Sequence, residues 1–398
     1  MPKQERTTVP VKKDVLRWAR NTRGLSTKDA ATKLKITEGE LEQFENGNSQ
    51  PDLETFDRMV SAYKQPESVL LLTTPPPTIA LPRDFRTSGG RRAGLTPETR
   101  LALREARELQ QYVSELVIDD PQLIKSLKIK PATTTENPEQ RAAIEREHLG
   151  VSLAVQLRWK PQEDSFNRWR DWLEKKGLII LLKKMPWKDC RGFLLLEEDM
   201  LPTIVINSED MPSARIFSLF HEYAHLLLGA ASICQATRAQ SPSERWCNEF
   251  ASAFLLPRES IKSHVKERFP LAGKEYDWPV TAVTKLATYY RVSRPAMAIR
   301  LQKLGLAIPD YYEKHKAELH SYDARPKPED PPRIKKNPGW KQKRKLNEVG
   351  LTAASVILKA WNEQIADAME AADVLDLSLD ELYGLEQETQ EQKVRYVG

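Results

Sequence analysis

Between residues 10 and 72, apolar side chains recur at three- and four-residue intervals in short blocks, which predicts a bundle of short helices. Leu16, Leu34, Leu41, Phe44, Phe56, Met59 and Tyr63 carry that rhythm. Ser26 and Thr37 stand where N-caps are needed, and the short turn between the helices they flank predicts a helix-turn-helix pair. A longer amphipathic helix is expected over 95–118, with Thr96 as N-cap and Pro97 at its first position. The period then changes. Residues 177–182, 192–196 and 203–206 are short apolar runs rich in branched residues and bounded by Gly, Pro and Asp, as strands of a small sheet would be. Helical spacing returns over 215–228, with Gly229 as the stop, and over 244–257, where Trp246, Phe250, Ala253 and Phe254 share a face and Pro257 closes the helix. Helices are also expected at 281–287, 292–305, 351–369 and 371–385, with Ser378 capping a short final turn and the charged stretch beyond Leu385 frayed.

Proline-rich breaks at 73–77, 131–138 and 325–338 divide this pattern. The segments are a helical domain at 10–72, a linker and helical connector at 73–139, a domain with the sheet at 140–322, and a basic linker with a helical module at 323–398. The fold class is therefore α+β, mainly helical. A net charge of +5 with 29% charged residues fits a soluble surface and does not mark a strongly basic nucleic-acid protein. The run Lys341–Lys345 is basic enough to be a solvated face or to touch nucleic acid or an acidic partner. No apolar run is long enough to span a bilayer, and the N-terminus lacks a secretory apolar region. Three cysteines, Cys190, Cys234 and Cys247, with no CxxC pair, argue against a disulfide framework or a structural zinc site and suit a reducing cytoplasm.

The chemistry concentrates in His221-Glu222-Tyr223-Ala224-His225. On a helix, positions i and i+4 share a face, so both imidazoles can reach one metal ion. Glu222 follows the first of them and projects to the side, where it can take a proton from an attacking water. A hydrolytic zinc site needs a third protein ligand and an open position. The cysteines are candidates, but the acidic helix downstream offers a better one, with Glu244 in its first turn and Glu249 as its other carboxylate.

His-Glu-x-x-His followed by Glu244-Arg-Trp-Cys-Asn-Glu-Phe-Ala-Ser-Ala-Phe-Leu-Leu-Pro257 resembles the ImmA/IrrE family of zinc metallopeptidases over roughly residues 140 to 310. In that family the glutamate four residues ahead of the asparagine, here Asn248, is the third ligand. The resemblance thus implies a zincin-like domain in which His221, His225 and Glu244 bind Zn2+ and Glu222 is the general base. In zincin folds an edge strand near the metal captures extended peptide, and 203–206 is the expected strand here. Tyr289, Tyr290 and His264 are polar groups that could stabilise an oxyanion.

The first domain, with Phe44-Glu-Asn-Gly47 followed by Pro51, resembles the xenobiotic-response-element (Cro/repressor) type of helix-turn-helix. That resemblance implies DNA binding, with Arg17, Lys28 and Lys33 among the candidate phosphate anchors. The second helix of the pair, however, carries Glu38, Glu40, Glu42 and Glu45 and no Lys or Arg, which suits protein docking equally well. Two readings follow from the combined resemblance. In one, a cytoplasmic zinc endopeptidase cleaves a partner regulatory protein, a transcriptional repressor from a neighbouring gene, and so switches on a prophage, mobile-element, stress or defence operon. In the other, the chain is a DNA-binding regulator or antitoxin-like binder whose zinc site does not cut. Glu222 separates them, because a purely structural metal site has no use for a base.

Overall fold

Alternating short apolar blocks and capping residues build the first helices much as the chain's pattern requires: α1 (Lys13–Arg23), α2 (Thr27–Leu34), α3 (Glu38–Asn46), α4 (Leu53–Tyr63) and α5 (Glu67–Leu70). Ser26 accepts from the Asp29 amide to start α2, and Thr37 and Glu40 form a reciprocal capping box at the start of α3. Val15, Leu16, Ala19, Ala30, Leu34, Leu41, Phe56, Met59 and Tyr63 make the common core. This computed structural model describes residues 7–76, 95–119, 129–159, 162–229, 232–233, 241–269, 275–321 and 339–397. The chain divides into two compact units, Met1–Arg104 and Glu105–Gly398, with the division falling inside α6 (Pro97–Asp119).

The second unit continues with α7 (Pro138–Leu149), α8 (Leu153–Arg158), α9 (Gln162–Glu174), β1 (Ile179–Lys183), β2 (Gly192–Leu195), β3 (Thr203–Asn207), α10 (Pro212–Leu227), β4 (Ser232–Ile233) and α11 (Pro242–Leu255). It is completed by α12 (Arg258–Arg268), α13 (Val280–Tyr290), α14 (Arg294–Lys303), α15 (Tyr311–Ser321), α16 (Trp340–Asn362), α17 (Ala368–Val374) and α18 (Leu379–Val397). The fold class is α+β and mainly helical, with one small sheet.

The sheet runs in the order β1-β3-β2-β4, with β1 parallel to β3 and β2 antiparallel to both β3 and β4. Every residue of β1, β2 and β3 is buried, so both faces are covered. The expectation that 203–206 is an edge strand is corrected: β3 lies between β1 and β2. Its run of buried side chains is what a strand with covered faces gives, and nothing in that run distinguishes an edge from a centre. Among the described residues β4 pairs with β2 at Phe193 and Leu194, and β1 stands at the other end of the sheet.

Residues after 339 build onto the second unit. α16 packs on β1 and α9 and is broken at Gly350, whose φ of 84° and ψ of 164° lie outside the helical range. The break is held from beneath. Glu174 accepts from the amides of Leu351 and Thr352, both at 3.1 Å, while Arg170 donates to the Asn347 carbonyl (2.6 Å). A side chain at 350 would collide with Glu174 and Arg170.

In the run Lys341–Lys345, Lys341, Lys343 and Arg344 are exposed and Lys345 is buried. Lys341 pairs with Glu381 (2.6 Å), Lys343 with Glu388 (3.6 Å) and buried Lys345 with Glu348 (3.2 Å), so a solvated face also carries ion pairs to α18 and within α16. The stretch beyond Leu385, expected to fray, continues as helix to Val397. The proline-rich stretch 325–338 and Cys234 lie outside the described residues.

Candidate metal centre

α10 and α11 pack side by side and bring the centre together. Pro212 starts α10, and twelve of its residues are buried, including His221, Glu222 and His225. α11 begins at Ser241, whose side chain accepts from the Glu244 amide (3.2 Å). The same cap that nucleates the helix therefore fixes Glu244 in its first turn.

The three expected ligands converge. His221 Nε2 lies 3.2 Å from His225 Nε2 and 3.1 Å from Glu244 Oε2, and His225 Nε2 lies 3.4 Å from Glu244 Oε1. Zinc bonded tetrahedrally at about 2.0–2.1 Å needs ligand atoms about 3.3 Å apart, and each of these three separations lies near that value. Side-chain exposure is 7% for His221, 4% for His225 and 10% for Glu244. Two imidazole nitrogens and one carboxylate gathered in a dry setting are a donor set that suits zinc, so the residues fit the metal. Burial raises the Glu244 carboxyl, but hydrogen bonds and charge from His221 and His225 outweigh it and hold it down at about 2, in its ligand form.

Glu222 is fully buried beside this triangle and is not one of its corners. Its seat is Gly192, at the start of β2. A Cβ there would stand 2.9 Å from the Val205 carbonyl oxygen and 3.3 Å from Glu222 Cγ. Only a bare α-carbon lets β3 and the Glu222 side chain close together at that point. Sequence reading took Gly192 as a strand boundary; the role depends on a long-range contact that no local pattern reveals.

The rejected alternatives have other partners. Glu249 is half exposed and pairs with Lys303 at 2.9 Å. Cys190 and Cys247 are buried thiols. Burial, then the Glu244 and Glu222 carboxylates, push Cys247 well above its ordinary range, and burial, then Glu222, does the same for Cys190. Among the described residues, His221, His225 and Glu244 form the only metal-capable cluster of His, Cys, Asp and Glu. Tyr290 bonds the Ser260 hydroxyl (2.9 Å), and the rings of His264, Tyr289 and Tyr290 pack together between α12 and α13.

In the first unit the expected nucleic-acid contacts divide. Lys28 and Lys33 are exposed on α2. Arg17 donates to the Glu45 carbonyl (2.7 Å) and to Asn46 Oδ1 (3.3 Å), and so braces the end of α3. Arg20 grips buried Glu45 through two bonds of 2.6 and 2.9 Å. Glu40 is held in the capping box, where backbone and side-chain hydrogen bonds from Thr37 keep its carboxyl below the usual range. Of the four α3 carboxylates, Glu38 and Glu42 are exposed and outside these internal bonds.

Residues 173–302 match the family model of the IrrE N-terminal-like domain, peptidase M78, and residues 14–71 match a helix-turn-helix domain. The chain thus carries a segment similar to the IrrE N-terminal-like peptidase domain behind a segment similar to a helix-turn-helix domain. No curated protein matches it. Among the described residues, no helix is long and apolar enough to cross a membrane.

Proposed function

We propose that this chain is a zinc-dependent endopeptidase that cleaves a partner regulatory protein, a transcriptional repressor encoded by a neighbouring gene, in the cytoplasm. The observation that carries this reading is the position of Glu222: buried, next to the ligand triangle, outside it, and seated on Gly192. A metal held only for stability or sensing needs no such group. His221, His225 and Glu244 would hold the ion, which supplies Lewis acidity to polarise a peptide carbonyl and acidify water. Glu222 takes the proton from the attacking water and returns it to the leaving nitrogen.

For the helix-turn-helix unit, protein docking is the better reading. Two of the arginines near α3 are tied to Glu45 or Asn46, which leaves Glu38 and Glu42 to meet the partner there. A DNA backbone would face those carboxylates first. The exposed lysines Lys28 and Lys33 keep DNA as the competing reading.

The test is to incubate the purified chain, loaded with zinc, with the neighbouring gene's product. The wild type should cut it at a defined bond. Glu222→Gln should keep its zinc and lose cleavage by a factor of about 10²–10⁴ or more. Zinc bound by a wild type that cuts nothing, together with salt-dependent DNA binding, would favour the regulator with a non-proteolytic site.

A further inference from the structure

Each metal ligand has a residue two positions further along its helix, about 200° around the axis and so on the far side from the ligand. All three of these residues are held by one stretch of chain, residues 130–149. Tyr223, two after His221, donates its hydroxyl to Glu145 Oε2 (2.8 Å). Leu227, two after His225, gives its carbonyl to the Ala132 amide (2.8 Å). Trp246, two after Glu244, donates its indole N–H to the Glu136 carbonyl (2.9 Å). The acceptors are themselves fixed. Glu145 pairs with Arg141 at 2.9 Å with both side chains buried, and Arg141 also reaches Glu136 (3.5 Å) and the Lys130 carbonyl.

We propose that residues 130–149 are a positioning clamp for the metal centre, locking the rotation of α10 and its separation from α11 so that the three ligand atoms hold zinc spacing. This rests on the reading of His221, His225 and Glu244 as metal ligands. The physical reason is leverage. His221 and His225 lie on one helix and Glu244 on another, so a small roll of either helix about its axis moves an imidazole or carboxylate by a comparable distance. Packing of apolar side chains resists compression more than it resists rolling. Directional hydrogen bonds on the back of each helix resist the roll itself. The peptidase family match begins at residue 173, so the working centre draws on chain ahead of the matched segment.

The experiment uses the full chain. Zinc affinity is measured by competition with a chromophoric chelator well below the unfolding temperature, and the melting temperature of the metal-free protein is measured alongside. Tyr223→Phe and Trp246→Phe should each weaken zinc on the order of tenfold. Cleavage should fall in kcat with KM unchanged. Glu145→Gln, which keeps an acceptor for the Tyr223 hydroxyl, should bind zinc more tightly than Glu145→Ala. Tyr311→Phe is the control, since buried Tyr311 also donates to a carbonyl, that of Trp278 (2.8 Å). It should lower the melting temperature without changing zinc affinity. Tyr223→Phe and Trp246→Phe variants that melt earlier yet bind zinc as tightly as the wild type overturn the clamp and leave the metal assignment standing. A wild type that binds no zinc sinks both.

Discussion

The two units use their carboxylates in opposite ways. In the helix-turn-helix unit, Glu40 and Glu45 close the fold on itself, one in a capping box and one against Arg20, while Glu38 and Glu42 point to water. In the second unit, Glu222 and Glu244 are buried, and Glu244 meets two imidazoles at one place. Exposed charge costs little and so says little about purpose, whereas buried polar groups that converge must be compensated by something. The second unit therefore announces its chemistry through geometry, and the first unit announces only its shape.

The comparison breaks most completely at the ligands. His221→Ala or Glu244→Ala should abolish stoichiometric zinc and all cleavage, while Glu249→Ala, on the surface pair with Lys303, should leave zinc content unchanged in elemental analysis. Loss of zinc in Glu249→Ala with retention in Glu244→Ala would mean the wrong carboxylate has been chosen. A smaller loss is expected from Gly192→Ala, because a methyl there pushes on the Val205 carbonyl and on Glu222. Cleavage should drop at least tenfold with zinc retained, as misplacement of a reacting group by about 1 Å can cost on the order of a hundredfold. Unchanged turnover would show that the contact is soft.

In the first unit the same test of removing one partner reads stability instead of chemistry. Arg20→Ala leaves Glu45 buried at one end of α3, and should cost about 2 kcal/mol in denaturant unfolding, between the values for surface and fully buried pairs. A cost near zero would mean that water reaches Glu45. The smallest effects belong to Lys28→Ala and Lys33→Ala. If the unit binds DNA, each should reduce the slope of log affinity against log salt by about one. If it docks a protein, neither should matter and Glu42→Lys should weaken capture of the repressor.

How much was legible follows the same divide. His221 and His225 could be paired on sight because a helix puts i and i+4 together, whereas the choice of Glu244 over Glu249 comes from the resemblance to the ImmA/IrrE family. Ser26, Thr37 and Thr96 were readable as caps because capping is local, and the structure bonds each to its own first turn. Gly192 was not readable as the seat of Glu222, since the two meet only across the fold. The place of β3 in the sheet escaped for a related reason: its register with β1 and β2 is set by partners outside the strand. The exposure of Lys341 and Lys343 agrees with a solvated charge run, while their partners Glu381 and Glu388 lie too far along the chain to be read locally.

The broken helix at Gly350 has a consequence in time. The sheet of the second unit is not fully covered until α16 lies on β1 and offers its amides to Glu174. At synthesis rates of roughly 5–20 residues per second, residues 340–362 emerge about 5–20 s after Glu244. The helix-turn-helix unit is complete long before that. A nascent chain arrested at residue 330 should carry a protease-resistant first unit and a second unit that is still readily cut. The first unit is thus complete well before the segment that covers the sheet beside the His221–His225–Glu244 cluster has been made.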